Sequence, residues 1–467
     1  MPFSLSFVSE LNLVFPDILS ILTLFTLVVV KSFLREGCAI GILSKISLLA
    51  SVILLFALLI YIPNADEKTT EFFVYNKAIG QIKILLFFCL FALLGYFNYA
   101  KLNKTLSGNF FILIYGIINA LTISISANNL LTLFLALELY TFSVGFLLVD
   151  SCYDVIHRKC SIRFLLLTSI ASSIFVFGCS LIYSQSGSLS FAIIKSSNGL
   201  TEVGKILIIS YMLFKLGCAP FHSWVLDVYE RLSSIAILFL EAIWKLFMMF
   251  VFIKVISLFA NLDCLKLLLI TFASISMGIG AIAPVFQDNI HKFVASISIG
   301  HIGFVISSFY ITQSEPYIMA HMLYNSLAIF CFFTGIFFIK NYCPVKTFAD
   351  LSGIIKTAPI FGFTIMASMF AMCGLPPFGN FIAKISIFKL FLCNKDYFIL
   401  IVAILYSLVS TVYLIKWLRY FFYPTRLINI NNNRCHIFAI FLFITLVISI
   451  IFYEPIFVYF EMMLIPQ

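Results

Sequence analysis

The stretch "ILIISYMLFKLGCAPFHSWVLDVYE", residues 206–230, breaks two rules of apolar membrane segments at once. Lys215 places an ammonium group where its neighbours are typical of a helix that faces hydrocarbon. Pro220, a little further along, has no backbone N–H and predicts a break or a kink in that helix. A charge and a fracture this close together predict a broken membrane helix with a polar interior.

The whole chain is far more apolar than a soluble protein. Of its 467 residues, 62% are hydrophobic and 10% are charged, whereas soluble domains average roughly 25% charged residues. Apolar runs of about 18 residues or more recur from end to end, and each can cross a hydrocarbon core of about 30 Å as a helix. The apolarity is continuous and does not alternate, which excludes a membrane β-barrel. The sequence therefore predicts an all-α polytopic membrane protein.

The net charge of +9 does not indicate a nucleic-acid-binding protein. The Lys and Arg residues lie mostly in short loops between apolar runs, which is the pattern of membrane topology and not of a phosphate-binding face. The twelve cysteines are scattered without a Cys-x-x-Cys pair, so neither a zinc site nor an iron–sulfur cluster is expected. We expect membrane lipids and no nucleic acid among the partners.

The apolar runs between polar interruptions predict about fourteen transmembrane helices. Their ranges are 17–34, 39–62, 81–99, 108–126, 129–149, 162–185, 203–230, 234–256, 265–285, 292–312, 316–340, 353–394, 397–422 and 436–459. The seventh and the twelfth are long and contain proline, namely Pro220 in one and Pro376 and Pro377 in the other. Both are therefore expected to be discontinuous.

Two broken helices five positions apart predict two five-helix repeats, helices 4–8 and helices 9–13. An odd number of helices per repeat reverses the direction of entry into the membrane, so the second repeat is expected to be inverted. This division gives an N-terminal three-helix segment, two repeats and a C-terminal helix, with the ranges 1–107, 108–260, 261–425 and 426–467.

Basic residues are unevenly distributed between the two sets of loops. Loops after odd-numbered helices carry about twice as many Lys and Arg residues as loops after even-numbered helices, with Lys83 counted in the loop after the second helix. The positive-inside rule places the odd-numbered loops on the negative side of the energised membrane. Both termini are then expected on the positive side.

Few ionisable residues remain inside the predicted helices, where a charge costs about 2.5–3.5 kcal/mol and often marks an ion or proton path. Lys215 and Lys384 lie near the breaks, where freed carbonyls and water allow an ammonium group at depth. Each could serve as a proton site, or could only satisfy those carbonyls. Glu138, central in helix 5, is the expected partner that switches a lysine between holding and releasing a proton.

Other ionisable residues within helices allow two interpretations each. Lys245 has Glu241 one turn earlier, which predicts either a proton-transfer group or a simple intrahelical ion pair. His301 is a possible proton relay in helix 10, or a histidine that is only hydrogen-bonded. Lys45 and Lys389 lie nearer to helix ends and are interpreted as snorkelling to the interface.

These residues occur in segments that resemble a known family. "LFKLGCAPFHSWVLDVYE" (213–230) resembles a stretch of the antiporter-like subunits of respiratory complex I. Three segments are similar to that family in the same order: "SISIGHIGF" (296–304), "DLSGIIKTAPI" (350–360) and "GLPPFGNFIAKISIF" (374–388). "NNLLTLFLALELYTFSVGFLL" (128–148) is similar in particular to the NADH dehydrogenase subunit 2 branch. The resemblance covers roughly residues 100–400.

The resemblance implies a proton pump with two linked half-channels and a set of four working groups. Carried over residue by residue, these groups are Glu138, Lys215, Lys245 and Lys384.

The sequence departs from the family pattern at a few positions. Leu226 stands where the family has proline, residues 231–236 lack a further proline, and Ser296 and Ile297 interrupt another motif. Glu241 is an acid that the family pattern does not include. These departures put the shape of the turn between helices 7 and 8 in doubt, and not the buried charges.

The resemblance further implies a membrane-arm subunit of proton-translocating NADH:ubiquinone oxidoreductase. No Gly-rich nucleotide loop is present in the sequence, and FMN, iron–sulfur clusters and ubiquinone are expected in other subunits of the complex. The implied partners are other complex I membrane subunits, especially the neighbouring antiporter-like subunit 4 and the small subunits 4L and 6.

Location and function each retain alternatives. The N-terminal stretch resembles neither a secretory signal nor a transit peptide, so we expect insertion close to the site of synthesis. The mitochondrial inner membrane is the expected location, and a bacterial or other energy-coupling membrane is the alternative. A stand-alone or Mrp-type Na⁺/H⁺ antiporter would share the same features, as would a non-pumping structural subunit whose charges stabilise helix packing. A quinone-binding enzyme is less favoured, because no redox motif supports it.

Overall fold

The computed structural model describes residues 3–34, 36–61, 68–99, 107–150, 155–196, 202–259, 264–340, 345–422 and 433–464. These residues are helical almost throughout, as the apolar runs predict. A helix satisfies its backbone hydrogen bonds within the segment, which apolar surroundings require because no water is available there. The sheet found among the described residues is a short antiparallel hairpin of β1 (Lys68–Thr69) and β2 (Val74–Tyr75).

Residues 1–211 form one compact unit. Its helices are α1 (Phe3–Phe33), α2 (Glu36–Tyr61), α3 (Lys77–Tyr99), α4 (Gly108–Ser126), α5 (Leu130–Asp150), α6 (Val155–Ser186), α7 (Phe191–Ser196) and most of α8 (Glu202–Leu216). The hairpin and two loops join at one end of these helices. Phe73 forms a β-bridge with Ala127, Asn129 forms one with Ser190, and the Asn128 side chain donates to the Thr70 carbonyl at 2.8 Å.

Residues 212–467 form a second compact unit. After the end of α8 it contains α9 (Ser223–Arg231), α10 (Ser234–Leu238), a π-helix (Phe239–Trp244), α11 (Lys245–Leu258), α12 (Leu265–Phe286), α13 (Ile290–Ile306), α14 (Glu315–Lys340), a 3₁₀-helix (Phe348–Leu351), α15 (Ile354–Thr357), α16 (Pro359–Cys373), α17 (Gly379–Cys393), α18 (Tyr397–Phe422), α19 (Asn433–Ile448) and α20 (Tyr453–Leu464).

Two helices of the second unit, α12 and α13, pack backbone against backbone. A Cβ atom added to Gly280 would lie 2.2 Å from the Gly300 Cα, so this crossing requires glycine. Asn289 caps the start of α13, because its side chain accepts a hydrogen bond from the His291 backbone N–H at 2.9 Å. The close packing fixes α13 as the central helix against which the polar groups of the site are arranged.

Both helices that were expected to be discontinuous are broken in the structure. The first break separates α8 from α9, and the second separates α16 from α17. Gly217 and Gly374 stand just after the first halves with left-handed φ angles of 78° and 71°, which glycine adopts without a steric cost. The peptide bonds before Pro220 and Pro377 are cis.

The structure confirms a multi-pass helical membrane protein. Ten helices among the described residues are long and apolar enough to cross a membrane, or eleven if α19 and α20, bent by 70°, form one broken span. The helices α13 and α16 are apolar but shorter. The count of fourteen, the inverted repeats and the domain boundaries at 107, 260 and 425 stay predictions.

Candidate functional site

The first break holds Lys215 inside the protein. Lys215 lies in the last turn of α8, and only 1% of its surface is exposed. Side chains hold the break together: the Ala219 N–H donates to the Ser276 hydroxyl of α12 at 2.9 Å, and the Trp224 indole donates to the Phe214 carbonyl at 3.1 Å. A helix end leaves backbone groups without intrahelical partners, so the fracture supplies polar groups beside the buried lysine.

Glu138 lies on α5 in the first unit and is half-buried. The hydroxyl of Tyr211 lies 3.4 Å from Glu138 Oε1, which is long for a hydrogen bond. The ring of Tyr211 packs on Phe175 with a centroid distance of 4.8 Å, and this contact holds it in place. Tyr211 is therefore a partner of Glu138 that the sequence did not indicate. The predicted pairing of Glu138 with Lys215 stays a prediction.

A π-helix precedes Lys245, and π-helical turns are frequent at functional sites. Glu241 lies within it, and its Oε1 is 2.5 Å from the Lys245 Nζ, with both side chains almost fully buried. Ser298 of α13 closes a ring, because it accepts from Lys245 and donates to Glu241 Oε2 at 2.7 Å. The intrahelical ion pair is thus present, and Ser298 extends it to a second helix.

The second break is crossed by Lys384. This side chain lies on α17, is 3% exposed, and donates from Nζ to the carbonyl of Cys373, the last residue of α16, at 2.8 Å. A Cβ atom on Gly374 would lie 2.6 Å from the Lys384 Cδ, so the glycine makes room for the lysine stem. Lys384 therefore satisfies a carbonyl freed by the break, which is the structural role that the sequence allowed. That contact holds its ammonium group inside the second unit.

Aromatic and imidazole rings lie between Lys245 and Lys384. His301 is one turn after Ser298 on α13, and its ring centroid lies 5.6 Å from that of His321 on α14 and 6.2 Å from that of Tyr406 on α18. The Lys384 Nζ lies 5.4 Å from the centroid of the Tyr406 ring. Among the described residues, the ring nitrogens of both histidines and the Tyr406 hydroxyl are buried without a hydrogen bond of ordinary geometry. Buried polar atoms of this kind are normally satisfied by ordered water.

The structure corrects the placement of Lys83. It does not lie in a loop but in α3, with 3% of its surface exposed, and its Nζ is 2.7 Å from both carboxylate oxygens of Asp17. The Tyr75 hydroxyl donates to the same carboxylate at 3.1 Å. Burial first, and then the Asp17 charge, raise the pKa of Tyr75 above its ordinary value, so it stays a donor. The first unit therefore contains a buried ion pair that the sequence analysis missed.

Two of the remaining lysines lie outside this arrangement. Lys45 on α2 and Lys389 on α17 are exposed at the protein surface. Among the described residues, no group of three or more His, Cys, Asp or Glu side chains is placed to hold a metal ion.

Comparison with known proteins identifies the family of this arrangement. A family profile described as "NADH:quinone oxidoreductase/Mrp antiporter, TM" matches residues 127–412, more than half of the chain. The chain belongs to this family. The matched range includes the four predicted working groups, the two breaks and all of α13 and α14. The Asp17–Lys83 pair precedes the matched range.

Individual members of the family extend the likeness over most of the chain. NADH-quinone oxidoreductase subunit N of Pelagibacter ubique is 28% identical over 429 residues, which cover 89% of this chain and 90% of that protein. NADH-ubiquinone oxidoreductase chain 2 of Rhizopus oryzae is 28% identical over 311 residues, which cover 62% and 60% of the two chains. The chain is an antiporter-like subunit of this type.

Solved structures share the fold at lower sequence identity. A chain in respiratory complex I from Thermus thermophilus with bound aureothin gives a TM-score of 0.77 at 19% identity and covers 93% of this chain and 97% of that one. A chain of the Mrp complex from Dietzia sp. DQ12-45-1b gives a TM-score of 0.78 at 16% identity and covers 91% and 82%. At these identities the structures support the fold alone.

Sequence reasoning missed several members of the site. Ser298, His321 and Tyr406 were not singled out, and each becomes significant only through contacts with residues distant in the chain. His321 did carry a signal, since it is an ionisable residue inside an apolar span. Ser298 and Tyr406 carried none, because serine and tyrosine are ordinary residues in membrane helices.

Proposed function

We propose that this antiporter-like subunit translocates protons as part of the membrane arm of an NADH:quinone oxidoreductase. The names of its sequence relatives, subunit N in Pelagibacter ubique and chain 2 in Rhizopus oryzae, support this assembly. Redox chemistry takes place in other subunits, which carry FMN, iron–sulfur clusters and quinone. The neighbouring partners are the antiporter-like subunit 4 and the small subunits 4L and 6. The location is an energy-coupling membrane, which the bacterial relatives support, and the mitochondrial inner membrane is the expected one.

The observation that carries the proposal is the buried polar line in the second unit. It begins at the ring of Glu241, Lys245 and Ser298, continues one helical turn along α13 to His301, and ends at Lys384. His321 and Tyr406 flank its middle. A row of ionisable side chains at this depth is costly, and in membrane proteins such rows form proton relays. Water beside the rings of His301 and His321 completes the path between Lys245 and Lys384.

In this function, Glu138 and Lys215 act as the control pair of the first half-channel. When the two charges are close, the carboxylate stabilises the ammonium form of Lys215. When they separate, Lys215 gives up its proton, which then passes by way of Lys245 towards Lys384. Lys384 exchanges the proton with the far side of the membrane. Redox-driven changes in neighbouring subunits supply the energy for the separation.

The proposal includes the fourteen-helix, inverted-repeat architecture. The two breaks support it, because each interrupts the fourth helix of its predicted repeat. In each break a left-handed glycine follows the first half, and a segment with proline leads to the second half. In transporters with inverted repeats, ion sites lie at such discontinuous helices near the midplane. Lys215 lies on the helix before the first break, and Lys384 lies on the helix after the second, so each break has a buried lysine beside it.

Replacement of Lys215 by Met in the assembled complex tests the function. Methionine keeps the apolar stem and removes the proton-carrying group, so we expect the complex to assemble with a lowered proton-to-electron ratio. The ratio is measured in sealed vesicles energised with NADH. Lys389→Met, which removes an exposed lysine, is the matched control and should leave the ratio unchanged. An unaltered ratio in Lys215→Met would refute the proposal.

A second candidate is an Mrp-type Na⁺/H⁺ antiporter subunit, because the description of the matched family also names the Mrp antiporter. The two candidates differ in their assembly. A complex I subunit co-migrates with NADH dehydrogenase activity in native gels, whereas an Mrp-type subunit does not. A non-pumping structural subunit is tested by the same Lys215→Met variant, because it would lose assembly and keep the ratio.

A further inference from the structure

A polar cluster lies at one end of the helices that carry the proposed proton line. The Nε2 of His291, in the first turn of α13, lies 2.8 Å from the Ser234 hydroxyl in the first turn of α10. Lys340, the last residue of α14, donates to the same hydroxyl. The His291 ring also hydrogen-bonds to the backbone of Tyr229 on α9. The His291 imidazole therefore joins α13 to α9 and α10, and the Ser234 hydroxyl adds α14.

The topology predicted from the loop charges places the cluster on the side of the membrane from which protons are taken up. Ser234 and His291 begin the helices that follow the seventh and ninth predicted spans, and Lys340 ends the eleventh. All three therefore border loops after odd-numbered spans, which the positive-inside rule places on the negative side. Next to them, Lys292 and Glu230 form an ion pair with an N–O distance of 3.0 Å, and both side chains are about one-third exposed. His291 thus lies directly below a solvated rim.

The cluster is in register with the buried ion pair. Ser234 contacts His291, and seven residues further along both helices Glu241 contacts Ser298. Seven residues are about two helical turns, or roughly 10 Å, and they return to the same face. The two contacts therefore form successive cross-links, or rungs, between residues 234–241 and residues 291–298.

Tyr229 provides a second connection between the two rungs. Its backbone bonds to His291, and its ring centroid lies 5.4 Å from the Lys245 Nζ. Cations are attracted to aromatic faces within about 6 Å. Tyr229 thus contacts both His291 in the outer cluster and Lys245 in the buried ion pair.

We propose that His291, with Ser234 and Lys340, is the proton-uptake site that supplies Glu241 and Lys245. The inference rests on the proposed function and adds an entrance to it. Lys340 donates to the Ser234 oxygen, which leaves the Ser234 proton to point at His291 Nε2. Burial and the neighbouring Lys340 charge disfavour the protonated ring, so a proton from the aqueous phase binds at that nitrogen only in transit, when the hydroxyl turns away. It then passes through water between the rungs to the Glu241 carboxylate, and no bond between heavy atoms changes.

Imidazole rescue of a His291 variant tests this role. In NADH-driven vesicles that contain the full complex, we expect His291→Ala to lose as much proton translocation as Lys245→Met. Imidazole added on the uptake side should restore translocation in His291→Ala and leave Lys245→Met inactive, because only the outer group is replaced by a soluble base. Lys292→Met, which removes the adjacent, partly exposed lysine, is the matched control and should translocate normally.

The other outcomes each decide a separate point. Normal translocation in His291→Ala together with a loss in Lys245→Met overturns the uptake site and leaves the proposed function standing. Normal translocation in both variants overturns the proposed function as well. A loss in His291→Ala that imidazole does not restore assigns His291 a structural role and also overturns the inference. If His291→Ala fails to assemble, His291→Gln keeps the polar contacts without a titratable ring, and normal translocation in that variant overturns the inference.

Discussion

Asp17–Lys83 in residues 1–211 and Glu241–Lys245 in residues 212–467 are both buried lysine–carboxylate pairs, and they are built differently. The Lys83 Nζ lies 2.7 Å from both oxygens of Asp17, and Tyr75 adds a third donor from β2. The pair and Tyr75 tie α1 to α3 and to the hairpin that precedes α3, 66 and 58 residues further along the chain. The Glu241–Lys245 pair joins two residues that one helix already places a turn apart.

The difference indicates which pair holds the fold and which can move a proton. A bidentate pair between separate helices is a fixed link, and its loss leaves an uncompensated charge in apolar surroundings. The Glu241–Lys245 pair shares both of its members with the Ser298 hydroxyl, and Ser298 stands one turn from His301. A hydroxyl that both accepts and donates can pass a proton on. Burial of an ion pair alone therefore does not identify a transport site.

Replacement of Lys245 by Met is the largest expected effect. The variant removes the proton-carrying group and leaves the Glu241 carboxylate with the Ser298 hydroxyl as a donor, and the double variant Glu241→Gln/Lys245→Met leaves no buried charge behind. We expect the double variant to assemble at normal levels and the proton-to-electron ratio of both variants to fall as far as in Lys215→Met. Native gels give the level of assembly, and NADH-driven vesicles give the ratio. Loss of assembly with a normal ratio would reverse the assignment of the two pairs.

Replacement of Lys83 by Met is expected to act on stability instead. The isolated Asp17 carboxylate then lies buried, which costs about 3–5 kcal/mol when one partner of a buried pair is removed. We expect less assembled complex and a lower temperature of dissociation in detergent, with a normal proton-to-electron ratio in the complex that remains.

The double variant Asp17→Asn/Lys83→Met is the matched control for that prediction. Because it removes both charges, the uncompensated carboxylate is absent, and part of the lost stability should return. A lowered proton-to-electron ratio in Lys83→Met would contradict the comparison, since it would give the first unit's pair a share in translocation.

Much of the fold could be predicted because hydrophobic length alone determines where membrane helices lie. The predicted ranges 108–126 and 397–422 coincide with α4 and α18, and both breaks occur at the predicted prolines. The start of α3 could not be found in this way. Its first turns contain Lys77, Gln81 and Lys83, which are typical of a loop, and only contact with Asp17, 66 residues earlier, explains the burial of Lys83.

The candidate site also contains residues that could be predicted from the sequence and residues that could not. Of the four working groups that the sequence indicated, Lys215, Lys245 and Lys384 are buried and Glu138 is half-buried. They could be found because charge inside an apolar run is visible without a structure. The π-helix at 239–244 and the Ser298 contact are invisible in the sequence. They depend on how α13 packs against the chain 57 residues before it.

The smallest expected effects come from removing the hydroxyl that contacts each ion pair, that of Tyr75 in the first unit and that of Ser298 in the second. Tyr75→Phe deletes a single hydrogen bond to the Asp17 carboxylate, worth about 1.5–3 kcal/mol for a bond to a charged group, and it should lower the stability of the complex without a change in the proton-to-electron ratio. Because the pKa of Tyr75 lies above its ordinary value, the hydroxyl stays protonated through the neutral range, and this loss should be the same at every pH in that range.

Ser298→Ala removes the hydroxyl that links Glu241 and Lys245 to α13. Its effects on stability and on the proton-to-electron ratio should be the reverse of those of Tyr75→Phe. The direct ion pair between Lys245 and Glu241 remains, so stability should change little, whereas the proton-to-electron ratio should fall. Thermal dissociation in detergent and NADH-driven translocation, measured on both variants, separate the two results. If Ser298→Ala lost stability and kept the ratio, its hydroxyl would be a structural link like that of Tyr75, and the proton line would have to bypass α13 at this position.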